Sequence, residues 1–155
     1  MELILNTDAV VVVDNGASSF IPLSNYLVEN AAIDVLTEAG KPITVHPVIT
    51  GGQALLDTLT GLQQLAAQFS DRAEIVVWLN EYFGDIVSEG KGFEQTKVYA
   101  THKDRIRGLI RLYRQSADTF GKDVELMLNE RLTFDEAITS PAFSLMAKQR
   151  LKRVK

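Results

Sequence analysis

The sequence has 155 residues, of which 46% are hydrophobic and 23% are charged, a balance typical of a globular domain with a real core. The absence of cysteine excludes disulfides, thiolate metal sites and a cysteine nucleophile, and two histidines are too few for a histidine-rich metal site. No apolar run has the length of a membrane span and no signal-peptide pattern opens the chain, so we expect a cytoplasmic protein.

The net charge of −4 is unevenly distributed along the chain. Residues 141–155 carry five basic residues and no acidic residue, which leaves −9 on the first 140 residues. A basic C-terminal helix over 141–155 can contact an acidic partner, nucleic acid or a membrane surface. Because no aromatic residue is interleaved with the basic ones, a solvated helix face is the favoured interpretation.

Four consecutive valines, Val10–Val13, predict a strand buried on both faces, as in a parallel sheet. The strand would end at Asp14, before a turn at Asn15-Gly16. Ligands of open α/β sheets bind at the carboxyl ends of the strands, so Asp14 is a candidate for orienting a metal-bound water. Two alternatives are that Asp14 only caps the turn, or that Asn15-Gly16 is a hairpin turn. The hairpin is disfavoured because no second alternating strand follows it.

Helices and strands alternate along the rest of the chain. The end of a helix is predicted within 1–8, and further helices over 22–39, 53–69, 93–103, 122–131 and 133–138. Strands are predicted over 43–49, 73–79 and 106–113, with a loop over 81–92. Ser140 is predicted to cap a final helix that has Pro141 at its first position. The alternation predicts an α/β fold with a mostly parallel sheet flanked by helices.

Right-handed crossovers place the carboxyl ends of parallel strands at one edge of the sheet. We therefore expect Asp14, Thr50-Gly51-Gly52, Asn80 and the segment after Tyr113 to converge on one crevice, the usual place for a nucleotide or small ligand. Gly51-Gly52 opens a helix and could offer amide groups to an anion, although a tight strand-to-helix turn is the favoured explanation. The phosphate-binding motif G-x-x-x-x-G-K-[ST] is absent, and so is the nucleophile elbow of a serine hydrolase.

Long strings of the chain resemble the TraL-type plasmid conjugal-transfer proteins. They are VVDNGASSFIPLS (12–24), VITGGQALLDT (48–58), VVWLNEYFG (76–84), GKGFEQ (90–95), RLTFDEA (131–137) and MAKQRLK (146–152). TraL-type proteins are similar to the StbB plasmid-stability proteins and belong to the ParA/MinD group of P-loop ATPases. The resemblance covers nearly the whole chain and implies an incomplete ParA/MinD-like fold.

The resemblance also implies roles for individual residues, with ATP and Mg²⁺ as ligands of the complete parent protein. Asp14 corresponds to the acidic residue that ends the Walker B strand and holds magnesium through water. Asn80 corresponds to the strand-end asparagine that contacts the nucleotide base. Arg114 lies in the segment that closes over that base, and Gly51 and Gly52 border the same crevice.

The chain departs from the family in one respect. Family members carry an N-terminal section with the Walker A lysines, and this chain resembles the remaining C-terminal two-thirds, as one domain over 1–155. We therefore expect no ATP turnover and no bound cofactor for this chain alone. The resemblance implies other plasmid transfer or stability proteins as partners, and a homodimer as a further option. The alternative is a non-enzymatic interaction module that binds no nucleotide.

Overall fold

The computed structural model describes residues 1–154, which divide into two compact units, 1–113 and the residues from Arg114 onward. The helices of the first unit are α1 (Glu2–Leu5), α2 (Ala17–Glu29), α3 (Ala32–Glu38), α4 (Leu55–Gln68) and α5 (Lys97–His102). Its strands are β1 (Ile43–Val45), β2 (Val48–Thr50), β3 (Ala73–Asn80), β4 (Val87–Ser88), β5 (Lys91–Gly92) and β6 (Ile106–Leu112). The second unit contains α6 (Lys122–Asn129), α7 (Phe134–Thr139) and α8 (Leu145–Val154). Among these residues, no helix combines the length and apolar character that crossing a bilayer requires.

The main sheet is parallel, as predicted, and β3 is its central strand. β1 and β2 pair with β3 at the same offset, Ile43 with Ala73 and Val48 with Trp78, so they form one interrupted strand on one side. The interruption falls at His46-Pro47, because proline has no N–H to donate to the ladder. β6 pairs with the other side of β3, and β4 and β5 form a separate antiparallel hairpin.

The core of the first unit lies on one face of β3. Ile75, Val77 and Leu79 are fully buried there, and α4 contributes an apolar stripe to the same cluster. The helical spacing of Leu55, Leu59, Leu62, Ala66 and Phe69 predicts an apolar stripe, and the structure confirms it: all five are buried, as is Leu65. Complete burial of a leucine side chain contributes about 2 kcal/mol, so this interface is a main source of stability for the unit.

The opposite face of the sheet is partly open. Register places Val48, Trp78 and Ile110 side by side on this face, because each pairs with the next across the sheet. Val48 is 48% exposed, Ile110 is also exposed and Trp78 is half-buried. The Trp78 indole N–H donates to Nδ1 of His46 at 2.9 Å. Parallel sheets usually have both faces covered, so this face is unusually apolar for an open surface.

The predicted helix over 22–39 is instead two helices, α2 and α3. The break falls at Asn30-Ala31, where Ala31 has a left-handed φ of 45° and the Asn30 side chain donates to the carbonyl oxygen of Tyr26 at 2.9 Å. The range 22–39 predicts that the helical region ends just before Gly40, and this is confirmed, because α3 ends at Glu38. Gly40 has a φ of 76°, and the N–H of Lys41 donates to the carbonyl oxygen of Leu36, as in a Schellman motif.

The prediction of a buried strand at Val10–Val13 is wrong for this structure. Residues 10–16 have irregular backbone, and Val10 and Val12 are 93% and 85% exposed. The outer positions of the sheet belong to β1/β2 and β6, and neither pairs with this segment. High β propensity stabilises a strand only when a neighbouring strand is available to accept its hydrogen bonds and cover its side chains.

The second unit is a small helical cluster. Its core consists of Met127, Ala137, Phe143, Ala147 and Leu151. Arg150 of α8 forms a two-pronged ion pair with Asp123 of α6, with Nη2 3.0 Å from Oδ1, and this hydrogen bonding raises the pKa of Arg150.

The predicted start of the last helix is wrong by four residues. α8 begins at Leu145, and Oγ of Ser144 accepts the N–H of Ala147 at 3.2 Å in the manner of an N-cap. Oγ of Ser140 instead accepts the N–H of Ala142 within a preceding turn. Both serines stand before an apolar run, so local sequence alone does not distinguish them.

Candidate functional site

The strands β2, β3 and β6 end side by side, and we call this region the carboxyl edge. Thr50 pairs with Asn80, and Asn80 with Leu112, so the three strands end in register. The hydrogen bonds continue beyond the strands: Gly51 N–H donates to the Asn80 carbonyl at 3.1 Å, and Glu81 N–H to that of Leu112 at 3.0 Å. The predicted placement of Thr50-Gly51-Gly52 and Asn80 at one edge is therefore confirmed, whereas Asp14 follows irregular backbone and does not end a strand of this sheet.

The two glycines at the carboxyl edge are explained by a backbone contact. A Cβ added at Gly51 would lie 1.9 Å from the carbonyl oxygen of Gly84, and one at Gly52 would lie 2.8 Å from that of Phe83. Gly52 also has a φ of 76°, which agrees with the tight strand-to-helix turn favoured above. The close approach of residues 83–84 was not predictable, because it joins positions 33 residues apart. Anion binding by this pair stays a prediction.

Asn80 shapes the turn that follows β3. Its Oδ1 accepts the N–H of Tyr82 at 3.1 Å, and the N–H of Gly84 donates to the carbonyl of Glu81 at 3.1 Å. The side chain is thus used locally in an Asx-type turn. Its predicted contact with a nucleotide base stays a prediction.

A charged pair spans the ends of β3 and β6, and sequence reasoning missed it. Nη1 of Arg111 lies 2.8 Å from Oε1 of Glu81, whose side chain is largely buried. The guanidinium carbon of Arg111 is 6.0 Å from the centre of the Tyr113 ring. The positive charge of Arg111 thus balances the negative charge of the Glu81 carboxylate, and the pair connects the turn after β3 to the end of β6.

Residues 81–92 follow β3 and form what we call the aromatic loop. Tyr82 and Phe83 are 67% and 69% exposed, and their rings meet edge to face at 4.8 Å between centroids. Ile86 is buried in the core cluster and anchors the loop, while Val87 is exposed on the β4–β5 hairpin. The loop therefore presents two adjacent aromatic side chains from an anchored backbone.

Asp14 does not have the structural setting predicted for it, and the role of Arg114 stays a prediction. Asp14 is exposed and follows irregular backbone, so the premise that it ends a strand of the sheet is wrong. Earlier in the chain, the carbonyl oxygen of Thr7 accepts a hydrogen bond from Lys41 Nζ, which also lies 3.6 Å from Oδ1 of Asp8. These contacts connect residues 7–8 to the residues that precede β1. Arg114 is exposed and is the first residue of the second unit. Within residues 1–154 no group of three or more metal-binding side chains is found, and the magnesium role of Asp14 stays a prediction.

The chain is similar to two curated proteins of Escherichia coli, each named Protein TraL. The sequence identities are 50% and 48%, over all 155 residues. The chain spans 64% of the length of each of these relatives. No protein-family model matches the sequence, and no solved structure matches it.

Proposed function

We propose that this chain is the larger part of a TraL-type protein that acts with the transfer machinery in plasmid conjugation. Identity of about one half along all 155 residues supports this proposal, because every element of both units lies within the aligned region. Gene replacement tests it: a relative whose corresponding 155 residues are exchanged for this chain should sustain plasmid transfer. Loss of transfer by a stably folded exchange protein would contradict the assignment.

We further propose that the complete protein is a nucleotide-dependent switch that binds ATP and Mg²⁺, as its resemblance to the ParA/MinD group implies. The observation that carries this proposal is the carboxyl edge, where three parallel strands end together and open into loops. Nucleotides bind at such edges in open α/β sheets. In this proposal Asn80 contacts the base and Gly51-Gly52 borders the ligand.

Asp14 takes part only if Val10–Val13 pairs as a strand. Their high exposure supports this step, because four aliphatic side chains in water gain stability when a neighbouring strand covers them. The remaining 36% of the relatives' length is the proposed source of that neighbour.

Nucleotide binding to a longer chain tests the switch. The longer chain is a fusion of this chain with the section of a relative that lies outside the aligned residues, in the order found in the relative. Titration calorimetry then measures ATP binding to this fusion with and without Mg²⁺. Asp14→Ala should weaken Mg²⁺-dependent binding more than binding of nucleotide alone, whereas Asp85→Ala, an exposed acid in the aromatic loop, should change neither. Mg²⁺-dependent binding that ignores Asp14→Ala would contradict the role of Asp14.

A non-enzymatic interaction module is the second candidate, and the exposed aromatic pair Tyr82-Phe83 favours it. A longer chain that binds no nucleotide but sustains plasmid transfer would decide for this candidate. Phosphoryl transfer depends on positioning and charge stabilisation by a phosphate-binding loop, so we expect the 155-residue chain alone to show no ATP turnover under either candidate.

A further inference from the structure

The aromatic loop exposes more apolar surface than its position in the fold requires. Tyr82 and Phe83 point two-thirds of their surface into solvent, although the neighbouring Ile86 and Phe93 are buried in the core. Two adjacent, exposed aromatic side chains are uncommon on the surface of a stable protein. Such apolar patches mark contact sites for other molecules. The nucleotide proposal uses neither ring, whereas the interaction-module candidate draws on both without saying what they contact.

The backbone beneath the two aromatic residues is held in one arrangement. Gly51 and Gly52 pack directly against residues 83–84, and Gly84 has a φ of 142°, a conformation that favours glycine. Oδ1 of Asn80 accepts a hydrogen bond from the N–H of Tyr82, and the Glu81–Arg111 ion pair connects the start of the loop to β6. An aromatic pair on such a fixed loop loses little conformational freedom when it binds, which favours affinity.

The negative charge of the aromatic loop limits the kinds of partner that it can bind. The loop contains three carboxylates and one lysine, and Glu81 is already paired with Arg111. Asp85 and Glu89 are exposed in the same loop as the aromatic residues, and residues 1–113 carry a net charge of −6. These carboxylates would repel the phosphates of a nucleic acid, and they would repel each other across a symmetric contact between two copies of the loop.

We infer that the aromatic loop is a docking surface for a different protein, one that presents an apolar pocket bordered by basic side chains. Phe83 and Tyr82 fill the pocket, and Asp85 and Glu89 face the basic border. Aromatic anchors surrounded by complementary charge are the usual energetic centre of a protein interface. This inference names the contact surface of the interaction-module candidate, goes beyond the nucleotide switch and does not depend on nucleotide binding.

Site-specific photo-crosslinking identifies the partner. A photoreactive phenylalanine analogue replaces Phe83 in the longer chain described above, or Tyr26 on α2 as a matched exposed aromatic control, in cells that carry the transfer genes. We expect one protein to crosslink at position 83 and not at position 26. Crosslinks at 83 to nucleic acid or to a second copy of the chain, or equal labelling at both positions, would overturn the inference.

Binding of the purified partner then tests the two parts of the surface. Phe83→Ala should lower the affinity about 30-fold, as expected for a buried aromatic anchor, while Tyr26→Ala should change it less than about 2-fold. The double variant Asp85→Lys with Glu89→Lys should slow association and reduce its salt dependence. Wild-type affinity of Phe83→Ala, in a variant whose thermal unfolding matches wild type, would overturn the inference, as would wild-type association of the charge-reversed variant.

Discussion

A single backbone contact determines which amino acids can occupy position 51. A methyl group at Gly51 would overlap the carbonyl oxygen of Gly84, which is backbone and cannot move without shifting the whole turn. Gly51→Ala should therefore lower the free energy of unfolding by about 2 kcal/mol or more, and chemical denaturation measures this loss.

Gly61 provides the matched control for that substitution. It lies inside α4, and a Cβ added there meets no atom within 4 Å. Gly61→Ala should raise the free energy of unfolding by up to about 1 kcal/mol, because alanine restricts the unfolded chain and favours helix. Equal effects of the two substitutions would show that residues 51 and 84 do not touch in solution.

Residue-scale prediction from sequence succeeds where the cause is local. The Gly40 helix stop is confirmed because a left-handed glycine and the hydrogen bonds around it involve adjacent residues only. The Gly51–Gly84 contact and the Glu81–Arg111 pair join distant parts of the chain, so no local pattern announces them. The roles of Asn80 and Arg114 rest on family resemblance, that of Asp14 rests also on its predicted place at a strand end, and all three stay predictions.

At the scale of elements, the start of α7 has a titratable cap. Thr133 Oγ1 accepts the N–H of Glu136, and the Glu136 carboxylate accepts the N–H and hydroxyl of Thr133, which holds the pKa of Glu136 below its usual value of 4.5. Since the unfolded chain lacks these bonds, the cap contributes fully above about pH 4.5. Its contribution is lost as the pH falls through the lower pKa of the folded state.

Urea unfolding at a series of pH values between about 6 and 3 measures this effect. Glu136→Gln should remove part of the loss of stability at acid pH, whereas Glu125→Gln, an exposed acid on α6, serves as the control. A Glu136→Gln protein with the same pH dependence as wild type would argue against the cap.

Elements were predictable where periodicity was strong, whereas two breaks within elements and the start of α8 were not. α4 and β3 match their predicted ranges closely, because a helical stripe and an apolar run over many residues outweigh local irregularities. The breaks at Ala31 and His46-Pro47 and the cap at Ser144 depend on single residues. Competing turn chemistry at such positions differs by only about 1 kcal/mol, which a pattern does not resolve.

At the scale of the whole molecule, two separate sets of apolar side chains are exposed to solvent. They are Val10–Val13 and the open sheet face around Val48 and Ile110. The valine run misled prediction for a physical reason: its composition suits a buried strand, while its burial depends on a neighbouring strand elsewhere. Burying two valine side chains contributes about 3 kcal/mol, a sizeable part of the stability of a domain of this size.

The 155-residue chain alone should therefore self-associate or melt at low temperature. Replacing Val10 and Val12 with serine should reduce self-association without lowering the unfolding temperature, because neither side chain is buried here. Sedimentation velocity and thermal unfolding over a hundredfold range of concentration measure both quantities. In the longer chain the same double substitution should be destabilising, because we propose that these valines are covered there. A monomer with a sharp, concentration-independent melt would contradict the first expectation, and an unchanged melt of the longer variant would contradict the second.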